Sequence, residues 1–209
     1  MAHAFLSLGQ LAQAQEVASA TIQGLERRAA KEPVPEVLSL SGAFHLVLAM
    51  AAARENDRQQ AGRHLDQARE IAAGIGEDRN DFDTEFGPAN VALHAVSAAV
   101  ELGDAGHALD LARDVEPEGL SAERQARYNI DLAQAYAMRR QPGEALRCLQ
   151  KAERLTPEQT RTHRVARAVA REPRPALRAA ATARIPRTSR AIRSAPLTPS
   201  AKDKKSSLV

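Results

Sequence analysis

The chain has 209 residues, of which 44% are apolar but only 3% aromatic, and it contains no tryptophan. An apolar fraction made mainly of alanine, leucine and valine favours closely packed helices and argues against a strand-rich fold. The net charge of +3 gives no reason to expect nucleic-acid binding by the main body, because residues 171–209 alone carry ten Arg and Lys against two acids.

Helical patterns follow one another along the chain to about residue 171. Residues 1–8 resemble the end of a helix, and a helix is predicted from about Gln10 to Ala30. Because so short a segment precedes the first break, we expect the chain to begin inside a structural unit. Three helix pairs are predicted next: 36–55 with 58–73, 88–102 with 105–115, and 122–139 with 143–155. The sequence TPEQ at 156–159 has the pattern of a capping box, so one more helix is expected to about residue 171.

A small residue returns at the same place in each helix pair. Ala14, Ala61, Ala108 and Ala145 each lie five residues after a turn-like residue, and the intervals between them are 47, 47 and 37 residues. The turn-like residues are, in the same order, Gly9, Asn56, Gly103 and Arg140. A small side chain lets two helices approach closely, and its recurrence indicates repeat architecture. Folds of this kind mostly bind partners.

Two regions are predicted from these patterns. Residues 1–171 are expected to form an all-α superhelix of antiparallel helix pairs, an α-solenoid whose first unit is truncated. Residues 172–209 are rich in Pro, Arg and Ala, contain five prolines and show no sustained apolar face. We expect this tail to be disordered. A basic tail can contact DNA or RNA phosphates, but it lacks the aromatic residues that stack on single strands.

The predicted repeats resemble tetratricopeptide units. In the fourth pair, the residues at that motif's spacings are Leu132, Ala133, Tyr136, Ala145, Ala152 and Pro157. The motif is degenerate, so the resemblance implies a tetratricopeptide-like fold and leaves the function open.

A more specific resemblance covers roughly residues 1–170. It rests on LSLSGAFHL at 38–46, GEDRNDF at 76–82, TEFGP at 84–88, NVALH at 90–94, VELGD at 100–104 and LSAERQAR at 120–127. These segments are similar to the C-terminal tetratricopeptide region of actinobacterial XRE-type transcriptional regulators. Such regulators carry a helix-turn-helix DNA-binding domain ahead of the repeats, which is absent from this sequence. DNA binding is therefore expected only through a domain that this chain lacks.

Two functions are compatible with these patterns. The resemblance implies the sensor or dimerisation region of a helix-turn-helix regulator, with a peptide, a small-molecule effector or a protein as the partner and a homodimer as one arrangement. The alternative is a free-standing tetratricopeptide adaptor that holds a protein partner and has no role with DNA.

In a tetratricopeptide superhelix the first helix of each pair lines the concave groove. Alignment on the turn residues predicts a groove of apolar residues with a few polar groups, which suits a peptide or a small molecule. A solvated groove, or one used only between protein domains, is the alternative. The predicted groove residues are Leu46, Met50, Asn90, Leu93, His94, Ser97, Arg127, Ile130, Asp131 and Gln134. Leu46, Leu93 and Ile130 form its central row, so the Lys and Asn pattern that clamps a C-terminal carboxylate is missing.

No metal, cofactor or catalytic site is predicted. The acidic loop 81–87 has Phe86 where a calcium-binding EF-hand loop needs glycine, so Phe82 and Phe86 are expected to anchor the loop instead. The histidines lie in separate predicted elements, and no common nucleophile, phosphate-binding or zinc motif occurs. The one cysteine, Cys148, excludes an internal disulfide framework. We therefore expect a cytoplasmic protein that is no enzyme and does not enter a membrane.

Overall fold

The computed structural model describes residues 1–32 and 34–170, so the predicted tail lies outside the described residues. This part of the chain is mostly helical and contains no strand, which confirms the all-α class. Its ten α-helices are α1 (Ala2–Ser7), α2 (Leu11–Ala29), α3 (Pro35–Arg54), α4 (Arg58–Ile75), α5 (Pro88–Glu101), α6 (Ala105–Leu111), α7 (Ala122–Met138), α8 (Pro142–Leu155), α9 (Pro157–Thr162) and α10 (Arg164–Ala170). Two short 3-10 turns, Asp81–Asp83 and Ala112–Asp114, lie between them.

The helices pack in consecutive pairs. Helices α1 and α2, α3 and α4, α5 and α6, and α7 and α8 are partners, and the second helix of each of the first three pairs also contacts the first helix of the next. The first helices contact one another in the order α1, α3, α5, α7, and α10 packs on α7. The first helices therefore form a common layer.

The turn inside each pair has the same backbone geometry. The predicted turn residues all lie in the left-handed region, with φ of 74° at Gly9, 61° at Asn56, 78° at Gly103 and 56° at Arg140. After each of them, the next N–H bonds to the carbonyl five residues earlier, as from Asp57 to Ala52 at 2.8 Å. This hydrogen bond closes a Schellman motif and ends the helix at a defined residue.

The four alanines lie in the helix interfaces, as predicted. Ala14, Ala61, Ala108 and Ala145 are between 0% and 2% exposed. Since each alanine follows its turn by five residues, it faces the partner helix close to the turn, where the two helices begin to diverge. A larger side chain there would push the two helices apart.

The end of the described chain differs from the prediction. The single helix expected after Thr156 is divided into α9 and α10 at His163, whose backbone is extended (φ −66°, ψ 125°). Thr156 makes no side-chain cap, so the capping box is not formed. Ser121, by contrast, caps α7 by accepting a hydrogen bond from the Arg124 N–H at 3.3 Å.

Helix α3 is the most apolar element. It has 20 residues, and an 18-residue stretch of it has a mean hydropathy of 1.6 and is 61% buried within the protein. By length and composition alone such a helix could cross a membrane. It contacts α1, α2, α4 and α5. A helix surrounded in this way has few positions that need polar residues, which accounts for its composition.

We predict that Ala61→Leu lowers the free energy of unfolding by about 1–3 kcal/mol, because the added atoms overpack the α3–α4 interface. Ala73→Leu is the matched control, since Ala73 lies exposed on the same helix, and its effect should stay within about 0.5 kcal/mol. Urea unfolding of the two variants measures the difference. Equal stability of the two would contradict the assigned interface.

Candidate functional site

The first helices line a half-open cavity of about 810 Å³, here called the inner cavity, to which α1, α3, α5, α7, residues 82–84 and the α9–α10 region contribute. The structure brings eight of the ten predicted groove residues to its wall: Leu46, Met50, Asn90, Leu93, His94, Ser97, Arg127 and Ile130. Three successive first helices thus present their predicted residues to one space. The volume lies in the range typical of small-molecule sites.

Asp131 and Gln134 do not line the inner cavity. Asp131 lies behind Arg127, is 5% exposed, and receives hydrogen bonds from the Ser97 hydroxyl and from Arg127 Nε at 3.4 Å. Burial raises the pKa of Asp131 above its ordinary value, against the opposing effect of Arg127. Asp131 therefore holds Arg127 in place from behind the wall. Gln134 is half-buried further along α7.

The floor of the inner cavity is apolar. Leu46, Leu93 and Ile130, the predicted central row, are only 3%, 4% and 3% exposed. They contribute to the cavity wall from α3, α5 and α7 respectively. A ligand with an apolar body can bury surface against this row.

A polar cluster lies on the wall where α5 and α7 meet the loop before α5. The backbone carbonyl of Thr84 accepts hydrogen bonds from Asn90 Nδ2 at 3.5 Å and from Arg124 Nη2 at 3.3 Å. Asn90 is 1% exposed, and its Oδ1 has no hydrogen-bond partner among the described residues. A buried amide oxygen without a donor is unfavourable. The cluster therefore has an unfilled acceptor beside a guanidinium group.

Three histidines of the wall are held neutral. Burial, together with Arg124, His3 and Arg127, lowers the pKa of His94 to about 4. Burial and the charges of Arg127 and Arg164 lower the pKa of His163 to about 4, and the pKa of His3 is lowered by burial and the same two α7 arginines. The arginines of this wall thus contribute to lowering the pKa of all three imidazoles.

His94 has a defined tautomer. Its Nδ1 lies 2.9 Å from the Asn90 carbonyl oxygen, and a carbonyl can only accept, so Nδ1 carries the proton. Nε2 of the neutral ring is then an acceptor. Helix α5 therefore contributes two acceptors, His94 Nε2 and Asn90 Oδ1.

The loop before α5 is fixed by Phe86, which is 0% exposed. Its ring lies against Gly42 of α3, where an added Cβ would overlap it. The prediction for Phe82 is wrong: its side chain is 68% exposed, at the rim of the inner cavity. Phe82 and Glu85 have positive φ values of 54° and 48°, and strain of this kind persists only where the surrounding structure imposes it.

Two further histidines form a pair between α3 and α4. Nδ1 of His45 is 3.1 Å from Nδ1 of His64, so one neutral ring donates to the other. Burial and the neighbouring His64 lower the pKa of His45 to about 4.

The described part of the chain contains no group of three or more His, Cys, Asp or Glu that could hold a metal ion. Cys148 is half-buried, and burial raises the pKa of its thiol.

Some wall residues were not predicted. Arg124 precedes Arg127 by three positions, so helical spacing places the two on one face and could have identified it. Phe82 and Thr84 reach the wall through the left-handed backbone of their loop, for which the sequence has no glycine signal. His3 and His163 come from opposite ends of the described chain, and only the packing of the whole helix layer brings both to the cavity wall.

We predict that Gly42→Ala displaces the Phe86 ring and lowers the free energy of unfolding by about 1–3 kcal/mol. Gly62→Ala in α4 is the control, because an added Cβ there meets no atom within 4 Å, and alanine in a helix interior is more stable than glycine by about 0.5–1 kcal/mol. Opposite signs in chemical unfolding are expected. A stabilising Gly42→Ala would disprove the Phe86 contact.

We predict that stability falls as the pH is lowered from about 6.5 towards about 4. In the fold the pKa values of His45, His94 and His163 are lowered to about 4 from the ordinary 6.5, so the unfolded chain binds more protons in this range. The free energy of unfolding therefore rises with pH between these values. Urea unfolding across this range measures the slope. His45→Gln should reduce it, with His107→Gln, an exposed histidine of α6, as the control; equal slopes in the two variants would contradict the assignment.

Comparison of the chain with models of protein families, with curated proteins and with solved structures finds no match. The resemblance to XRE-type regulators therefore rests on the sequence segments alone. The geometry of the inner cavity is the structural basis for a functional hypothesis.

Proposed function

We propose that this chain is the sensor region of a helix-turn-helix transcriptional regulator, a tetratricopeptide-like superhelix that binds a peptide, a small molecule or a protein segment in its inner cavity. The bound partner would act in the cytoplasm by biasing the curvature of the helix stack and, with it, an attached DNA-binding domain. DNA contact belongs to that domain.

The observation that carries this proposal is the unfilled acceptor in the cavity wall. Asn90 is 1% exposed, yet its Oδ1 has no partner among the described residues, and it lies on the wall of a cavity of about 810 Å³. A buried polar group without a partner lowers stability by about 1–3 kcal/mol. A small rotation of the Asn90 side chain would let this oxygen accept a hydrogen bond from a ligand and would so remove that penalty.

The segments that resemble the regulators also contribute to the cavity. The segments 76–82, 84–88 and 90–94 form the centre of the resemblance, and they supply Phe82, Thr84, Asn90, Leu93 and His94 to the wall. A resemblance confined to packing positions would have no reason to coincide with the cavity. The coincidence supports a binding role for the region.

The repeated turns support the tetratricopeptide-like description. Left-handed turn residues at Gly9, Asn56, Gly103 and Arg140 and alternating contacts between first and second helices are typical of stacked helix pairs. A free-standing adaptor would share these features. The regulator differs from the adaptor in having a DNA-binding domain attached to the repeats. Mapping the transcript and its reading frame tests this: a helix-turn-helix segment translated in frame with residue 1 supports the regulator, and translation starting at Met1 supports the adaptor.

We predict that Asn90→Leu abolishes ligand binding without loss of stability. Leucine of similar size removes the buried Oδ1 that has no partner among the described residues, and the Thr84 carbonyl, which loses the long hydrogen bond from Nδ2, still accepts one from Arg124, so the change is near neutral or stabilising. A thermal-shift screen of wild-type protein against small molecules and short peptides identifies ligands, and the variant is then tested with each of them. Loss of the shift is expected for ligands of the inner cavity.

Gln67→Leu is the control, because Gln67 is exposed on α4, which does not line the cavity. Its ligand shifts should match those of the wild type. If every ligand bound Asn90→Leu as well as it bound the wild type, the binding site would lie elsewhere.

A further inference from the structure

We infer that the inner cavity binds a small amphipathic anion: a molecule with an apolar body, one carboxylate or phosphate group and an N–H donor. This inference rests on the proposed function, because it names the ligand class of the same cavity. It follows from the arrangement of Asn90, Arg124 and Arg127 around the apolar row.

The donors for the anionic group come from one face of α7. The hydrogen bond of Arg127 to Asp131 uses Nε at 3.4 Å, which leaves the two terminal nitrogens of the guanidinium for a ligand. Arg124 bonds through Nε to Glu85 at 3.2 Å and through Nη2 to the Thr84 carbonyl, which leaves Nη1. Arginine forks of this kind suit carboxylate and phosphate oxygens.

The carboxylates that orient these arginines lie outside the cavity wall. Asp131 is paired with Arg127 and Glu85 with Arg124, and neither carboxylate lines the cavity. The wall itself carries four arginines against two carboxylates, Asp83 and Glu123. Each α7 guanidinium is therefore held by an acid from behind while its free N–H groups remain available to a ligand, which favours an anion over a cation.

The N–H donor follows from the acceptors on α5. Asn90 Oδ1 is buried and unpartnered among the described residues, and it belongs to the amide that shares the Thr84 carbonyl with Arg124. A small rotation of the Asn90 side chain would bring this buried oxygen to the cavity, so that one ligand places an anionic oxygen on the α7 arginines and an N–H on Asn90. A simple inorganic anion satisfies only the first of these positions.

The apolar body follows from the floor. Leu46, Leu93 and Ile130 form a row from three helices, and burial of ligand surface there adds affinity that a bare anion lacks. The volume of about 810 Å³ accommodates such a molecule. The site thus differs from a surface patch of arginines, which would bind any anion and be screened by salt.

The test compares two fluorescent probes of the same shape on the full chain. The first, 8-anilinonaphthalene-1-sulfonate, has an apolar body, an N–H and an anionic group; the second, N-phenyl-1-naphthylamine, lacks only the anion. We expect the anionic probe to bind at least about tenfold more tightly, because its sulfonate gains a charge-assisted hydrogen bond and one such bond raises affinity by at least that factor. Equal affinity of the two probes would overturn the inference.

Arg127→Gln and Arg124→Gln locate the anionic group. Each should weaken the sulfonate probe by about tenfold and leave the neutral probe unchanged. Arg147→Gln is the control, because Arg147 lies on α8 with its side chain 68% exposed. If neither α7 variant weakened the sulfonate probe more than the control does, the inference would be wrong. Thermal unfolding of each variant verifies that it is folded.

Displacement distinguishes the two anion sources. N-octanoylglycine, a carboxylate with an N–H, and octyl phosphate are titrated against the bound sulfonate probe, with the neutral N-octanoylglycinamide as the reference. Displacement by either anion well below the concentration needed for the amide supports the inference and identifies the headgroup. Equal displacement by the amide contradicts it.

The two proposals fail differently. If the neutral probe binds the wild type and is lost in Asn90→Leu, while the sulfonate adds no affinity, the cavity is a binding site for uncharged ligands and only the anion inference fails. If neither probe binds, both the inference and the proposed use of the cavity fail.

Discussion

The left-handed turn inside each helix pair is the constraint on which the rest of the structure depends. At Gly9, Asn56, Gly103 and Arg140 the backbone has positive φ, and the following N–H closes the end of the preceding helix. Glycine adopts this conformation without strain and asparagine adopts it readily, so Arg140 is the turn residue for which it is unfavourable. Because every turn is the same, the alanine five residues later always faces the partner helix, and the pairs stack in one register.

That register places the first helices in one layer and their inward residues on one cavity. Helix α3 supplies apolar wall, α5 supplies apolar wall and acceptors, and α7 supplies guanidinium donors braced by Asp131 and Glu85. The loop before α5 is fixed by Phe86 against Gly42 and links Asn90 to Arg124 through the Thr84 carbonyl. Packing and binding therefore depend on the same elements.

Local spacing predicted the parts that depend on local geometry. Eight of the cavity residues depend also on the resemblance to tetratricopeptide repeats, which implies that the first helix of each pair lines the groove. Helical periodicity and its breaks predict the alanine positions and the turns, because neighbours on a helix face are fixed by sequence distance. It did not predict the exposure of Phe82 or the contribution of Thr84, since both depend on a strained loop without glycine. His3 and His163 both line the cavity although they lie far apart in the sequence, which no local pattern records. Sequence spacing predicts Asp131 to lie in the groove, because spacing cannot distinguish a residue on the cavity wall from a residue that is bonded to a wall residue.

We propose that the layer of first helices forms the binding surface. Hydrogen–deuterium exchange of the full chain, with and without 8-anilinonaphthalene-1-sulfonate, tests it most directly because it reports the location of binding without any substitution. The account predicts slower exchange in residues 80–94 and in the first half of α7, with no change in α4 and α8. Protection confined to α4 or α8, with residues 80–94 unaffected, would contradict it.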